Sequence, residues 1–207
     1  MLDSSATIGQ FLNAAAAKQP TPGGGSITAL VGALGASMGE MVLNYSIGKK
    51  GLEAFEGELK PALIELSHAR NLLTQLMSDD QAAYEAMAAA RRLPPGKDRT
   101  EKFSAALLTA IRVPQAIAKT TVAILDVADR MVNFVNFHLL SDLAVCSDLA
   151  MAATRCAVYN VRVNLTSVES ADERRQIQSG VSLTLTHAAA LIQRVGPRIW
   201  ERHNLGV

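Results

Sequence analysis

Three short segments of this 207-residue chain carry residue types that can do chemistry. The first is PTPGGGS at 20–26, where Gly23, Gly24 and Gly25 lead through Ser26 into an apolar run. Backbone N–H groups at a helix start lack intrahelical partners and sit at the positive end of the dipole. Such a loop can cradle an anion or let a flat ligand approach the backbone. A plain glycine-rich connector has the same composition. The second is IGKK at 47–50, in which Gly48, Lys49 and Lys50 follow a helical run. Taken alone, the two ammonium groups read as a solvated pair complementing a helix C-terminus; the other reading is an anchor for a substrate carboxylate. The third is SDDQAAY at 78–84, where Asp80 and Tyr84 stand four residues apart and share one helical face. A carboxylate among so many alanines is either helix-end decoration or a buried acid with a perturbed pKa, and the residues leave both open.

A fourth segment, 136–165, offers Asn136, a Ser141-Asp142 pair suited to capping a helix, and Asn160 and Asn164 on one polar stripe. Asp142 and Asn160 are 18 residues apart, five whole turns, which is ~27 Å along a helix axis. They cannot serve one small site within one subunit, whereas two subunits packed antiparallel would bring such ends together. A metal site is not expected: His68, His138, His187 and His203 are scattered, with no HxxxH, HExxH or CxxC spacing. Nor is there a nucleophile elbow or a Walker loop. Cys146 and Cys156 are 10 residues apart, ~15 Å on one helix and beyond disulfide reach. Both are expected to be reduced core thiols.

These residues need elements to hold them, and composition limits the choice. Hydrophobic residues make up 49% of the chain but aromatics only 4%, so Ala, Leu, Val and Ile must fill the core, which favours close-packed helices over a sandwich of strands. With a net charge of +1, a dedicated nucleic-acid or acidic-membrane surface is not expected. The first 20 residues show no basic segment followed by an apolar run. The most apolar stretch, 27–42, is interrupted by Glu40 and falls short of the ~20 residues a bilayer needs. A soluble cytoplasmic protein is the expectation.

Helical periodicity predicts six helices. A short one covers 7–18. Ser26 caps a second over 27–44, ended by Gly48 and Gly51. A long third helix runs over 60–91, with Pro61 in its first turn. After LPPGKD, a fourth covers 100–134 and kinks at Pro114. The fifth runs from Ser141 or Asp142 to 164, and Asp172 caps a sixth through 194, closed by Gly196-Pro197. The predicted fold is all-α, one domain spanning 1–207. The second helix is dense in small residues, Gly32, Gly35 and Gly39 among them. That density asks for very close approach, by a helix of the same core, a symmetry mate or a ligand.

Taken together, the segments resemble the formiminotetrahydrofolate cyclodeaminase / methenyltetrahydrofolate cyclohydrolase family. PTPGGGSITALVGALGASMGEMV, IGKK, the DDxxAY segment, LPPGKDRTEK, the internal Val113-Pro114 and SDLAV…YNVRVNL follow in family order over nearly the whole chain. The resemblance implies an all-α homodimer that binds a tetrahydrofolate derivative as substrate, in a cleft near the subunit interface, with no permanently bound cofactor. It implies Asp80 as the catalytic residue. It implies substrate contacts from Gly23, Gly24, Gly25, Ser26, Gly48, Lys49, Lys50, Tyr84, Asn136, Ser141 and Asp142. Val135 and His138 stand where the family's GNxNxxSD has its glycine and second asparagine. The implied reaction is hydrolysis of methenyltetrahydrofolate to formyltetrahydrofolate. The alternatives are formiminotetrahydrofolate cyclodeamination with release of ammonia, or a non-catalytic helical dimer that binds folate or a pterin.

Overall fold

The computed structural model describes residues 6–205, and six α-helices carry the architecture. They are α1 (Ile8–Ala16), α2 (Gly24–Asn44), α3 (Glu56–Arg92), α4 (Lys97–Met131), α5 (Leu140–Leu165) and α6 (Ala171–Leu205). No strand occurs among the described residues. In the main bundle α2 packs on α3 and α5, α3 on α4, and α4 on α5, while α6 packs against α4 and α5. One core runs along the bundle through Leu43, Leu66, Leu73, Ile117, Leu125 and Leu140. A second cluster around Met87, Leu107, Ile111, Val161 and Leu165 fills the end where α3 and α5 extend past the start of α2.

The glycines of α2 explain how four helices come so close. A Cβ on Gly32 would lie 2.8 Å from Thr121 Cγ2, and one on Gly39 2.8 Å from Leu66 Cδ1. A Cβ on Gly35 would press on the Cys146 carbonyl oxygen at 3.2 Å. All three glycines are buried against neighbours in the same chain, so their ~1 kcal/mol propensity cost is offset by packing within the subunit. The close approach that these three glycines allow is thus made by helices of the same core. At 21 residues α2 is longer than the sequence suggested, and it is the one described helix long and apolar enough to cross a membrane. The glycine-bearing side of α2 lies inside the bundle.

Several predicted boundaries shift, each for a local reason. Thr7 caps α1 reciprocally with Gln10, as the residue types suggest, but that helix stops at Ala16. Gly23, not Ser26, caps α2, because the Ser26 hydroxyl is engaged elsewhere. Helix α3 starts at Glu56, after a 3-10 turn over Glu53–Phe55, and places Glu56 and Glu58 at the positive end of its dipole. Ser141 and Asp142 do not cap α5: a 3-10 turn over Phe137–Leu139 starts the helix, with the Asn136 side chain accepting from the His138 amide. Ser170 rather than Asp172 binds the first-turn amide of Glu173 in α6. That helix runs on through Gly196-Pro197 to Leu205. Pro197 is exposed while Val195 and Ile199 stay buried, so the carbonyl it strands is open to water and the apolar stripe continues.

Pro114 is a different case, because it is buried in the middle of α4. A proline there leaves the carbonyl of residue 110 without its intrahelical donor. The Asn164 side-chain amide of α5 donates to that Ala110 carbonyl at 2.8 Å, and α4 stays helical across the proline. Asn164 is therefore a structural partner of Pro114. Replacing Asn164 with Leu strands a buried carbonyl and is expected to cost about 1–3 kcal/mol. Pro114→Ala restores an N–H for that carbonyl, so it should stabilise the Asn164→Leu protein more than the wild type. A double-mutant cycle by urea unfolding measures the coupling, and zero coupling would refute the pairing.

Candidate active site

At the first turn of α2 the chain brings together two segments 54 residues apart. The Ser26 backbone N–H donates to Asp80 Oδ2 at 2.9 Å, and the Ser26 hydroxyl lies 3.0 Å from the same oxygen. That hydroxyl is also 3.0 Å from the Met77 carbonyl oxygen, one turn earlier on α3. The second carboxylate oxygen, Asp80 Oδ1, occupies the space that a side chain at residue 25 would need: a Cβ on Gly25 would fall 1.9 Å from it. The glycine run is thus a requirement of the carboxylate at this point. Only residue 25 without a side chain lets Asp80 lie against the helix start.

Asp80 is half-buried and forms no ion pair among the described residues. Burial pushes its carboxyl pKa up, and the Ser26 hydroxyl and amide pull it partly back. The result is one pinned oxygen and one free oxygen on a carboxyl group biased toward holding a proton, the arrangement a group needs to take a proton and return it. Tyr84 follows one turn later on the same face, exposed and without a hydrogen bond among the described residues.

Asn160 of α5 completes this end. Its Nδ2 donates to Thr28 Oγ1 at 3.3 Å, and the Thr28 hydroxyl donates to the Gly24 carbonyl at 2.6 Å. A Cβ on Gly24 would lie 3.1 Å from Asn160 Oδ1. Sequence reasoning placed Asn160 on a polar stripe with Asn164 but gave it no part in the site. The stripe was the available signal, and the two asparagines turn out to serve different neighbours.

The remaining predicted contacts lie at the other end of α2. Lys49 Nζ donates to Asn136 Oδ1 at 2.6 Å, and the Asn136 backbone N–H donates to Ser46 Oγ at 2.8 Å. Gly48 holds φ +73°, a left-handed turn that favours glycine. Gly48, Lys50 and Ser141 are exposed and Asp142 is half-buried. The 21 residues of α2 separate these groups from Asp80 by ~30 Å. The structure therefore brings together Gly23–Ser26, Asp80 and Tyr84, and separately Lys49 and Asn136 with Gly48, Lys50, Ser141 and Asp142 nearby. It does not join the two sets within one chain.

Between the two sets lies an apolar face. On α2 and its C-cap, Ile27, Val31, Leu34, Met38, Met41 and Tyr45 repeat at alternating spacings of four and three, and none is buried. On the adjacent α5, Val145, Leu149, Ala152, Cys156, Tyr159 and Val163 do the same. Leu34 is 51% exposed, Tyr159 64% and Val163 67%. Cys156 belongs to this face and is exposed, which corrects its expected place in the core. Ten residues turn a helix by about 1000°, so two cysteines at that spacing face different sides. Cys146 is buried, and burial pushes its thiol up to about 12.

Comparison with known proteins gives a consistent picture. The family model described as formiminotransferase-cyclodeaminase matches residues 7–182. A methenyltetrahydrofolate cyclohydrolase from Methylorubrum extorquens is 36% identical over 197 residues, covering 91% of this chain and 93% of that protein. A formimidoyltransferase-cyclodeaminase from Sus scrofa is 26% identical, and the aligned part is 36% of its length. Among solved structures, the formiminotetrahydrofolate cyclodeaminase of Thermotoga maritima superposes with a TM-score of 0.82 at 25% identity, covering 97% of this chain and 96% of that one.

Proposed function

The chain belongs to the formiminotransferase-cyclodeaminase family, and we propose that it hydrolyses methenyltetrahydrofolate to formyltetrahydrofolate with Asp80 as the proton-transfer group. The observation that carries this reading is the Asp80 carboxylate, one oxygen fixed by Ser26 and the other free above Gly25. Methenyltetrahydrofolate holds its one-carbon bridge as a cationic amidinium, an electrophile that needs only a positioned water and a base. As the water oxygen bonds to the bridge carbon, Asp80 takes a proton from it and the adduct becomes neutral. The bond from the bridge carbon to one ring nitrogen then breaks, and Asp80 returns its proton to that nitrogen. The adduct's hydroxyl proton passes to solvent as the carbonyl forms, so one proton is released per turnover. Bleaching of methenyltetrahydrofolate absorbance on adding the protein tests this directly. The cyclodeaminase relatives favour a second reading in the same site, with ammonia as leaving group; ammonia release from formiminotetrahydrofolate distinguishes it.

The working form in this reading is a cytoplasmic homodimer closed through the apolar face of α2 and α5. Two adjacent helices of these lengths present a face ~35 Å by ~20 Å, or ~700 Å², close to the ~800 Å² per partner of a stable interface. A two-fold axis through its middle runs the paired helices antiparallel. It sets the partner subunit's Lys49 and the partner subunit's Asn136 beside Asp80, uniting the two halves of the predicted site. There the lysine would hold the anionic glutamate tail of the folate, far from the reacting carbon. Such a contact binds ground and transition states about equally. Lys49→Met should therefore raise KM, more for a polyglutamylated substrate, with kcat little changed. An equal loss in kcat would move Lys49 into the chemistry.

A further inference from the structure

We infer that Asn160 is a water-positioning residue of this site, presenting its Oδ1 as the second acceptor for the nucleophilic water whose first acceptor is Asp80 Oδ1. The inference rests on the hydrolytic reading above and goes beyond it in naming the group that fixes the water.

The polarity of the Asn160 amide follows from a chain of hydrogen bonds. The Thr28 hydroxyl has one proton, and it goes to the Gly24 carbonyl at 2.6 Å. Thr28 Oγ1 can then only accept from Asn160, at 3.3 Å, so the Asn160 nitrogen faces Thr28. The amide oxygen is left on the other side, over Gly24, where a Cβ would come within 3.1 Å of it. Asp80 Oδ1 stands over Gly25 in the same way. The two oxygens approach α2 from α5 and α3 respectively, over neighbouring Cα atoms ~3.8 Å apart. Among the described residues no donor is bonded to either one.

A water with an acceptor at each hydrogen has its lone pairs free and directed away from both acceptors. That is the orientation attack on a cationic carbon requires. Asp80 takes one proton as the carbon–oxygen bond forms. The other stays on oxygen, held by Asn160, until the carbonyl appears. Both glycines then have a purpose: each leaves room for one of the two oxygens.

The test is a pair of substitutions at Thr28 beside one at Asn160, with folding checked by thermal melts. Asn160→Ala should lower kcat by ~10²-fold with a small change in KM. Thr28→Val removes the acceptor that fixes the amide and should lower kcat by ~10-fold, whereas Thr28→Ser keeps the hydroxyl chain and should retain wild-type kcat. A merely structural role would not separate Ser from Val in kcat while leaving KM alone. An active wild type together with an Asn160→Ala protein of unchanged kcat overturns this assignment alone. So does a Thr28→Ser protein as impaired as Thr28→Val. A wild type that neither bleaches methenyltetrahydrofolate nor releases ammonia from formiminotetrahydrofolate overturns the reaction reading and this assignment with it.

Discussion

Asp80→Asn is expected to fold, to bind folate and to lose ~10²–10⁴-fold in kcat, the usual cost of removing a general base. Asparagine keeps the shape and can still accept from the Ser26 amide, but it cannot take a proton at neutral pH. Binding should persist, weakened only by the lost attraction between a carboxylate and a cationic substrate. Stability supplies an independent check with a defined sign. The folded-state pKa of Asp80 is raised above its ordinary value of 3.8, chiefly by burial. Its contribution to stability is therefore fully present below that value and is lost as pH rises through the folded pKa. Asparagine does not titrate. From pH 4 towards 7 the variant should gain stability relative to wild type, and urea titrations at several pH values measure the difference. A helix-capping or merely solvated Asp80 predicts the reverse: a variant less stable by about 1 kcal/mol at neutral pH with turnover nearly intact.

Features set along the whole chain were legible in its residues, and features set by contacts between distant segments were not. The helical class was legible, because apolar periodicity and the scarcity of aromatics act along the whole chain. Ends were less so. Ser141-Asp142 has the composition of a cap, yet the Phe137–Leu139 turn starts α5. Gly196-Pro197 has the composition of a stop, yet α6 passes through it, since that proline faces outward. Which side of a helix a residue takes is decided by packing, and local composition carries no record of it. The same holds within the site. GGGS was visible as a loop able to accept a ligand, but its fit to Asp80 depends on Gly25 meeting a side chain 55 residues away. Asn160 and Asn164 look alike as i,i+4 partners. One is bound to Thr28 and the other answers the proline in α4.

Leu34→Glu should split the proposed dimer and abolish most of the activity at limiting substrate. Leu34 is 51% exposed in the single chain and lies in the middle of the α2 stripe, so the change leaves the subunit core alone. In the dimer it would bury an unpaired charge near the two-fold axis, facing its own copy. Light scattering should report monomers whose helicity by circular dichroism matches wild type. The monomers should lose most of their kcat/KM, because a single chain carries Asp80 and Lys49 at opposite ends of α2. Complementation separates this from an unrelated loss. Asp80→Asn homodimers lack the proton-transfer group, and Lys49→Glu homodimers should repel the anionic tail at limiting substrate. If each site draws on both chains, subunit exchange puts both defects in one site and leaves the other intact. With random pairing, about a quarter of wild-type activity should return. If each chain holds a whole site, every site in the mixture stays defective and no activity returns. That outcome, or a Leu34→Glu monomer with wild-type kcat/KM, would confine the site to one subunit and leave the apolar face of α2 and α5 without a part in catalysis.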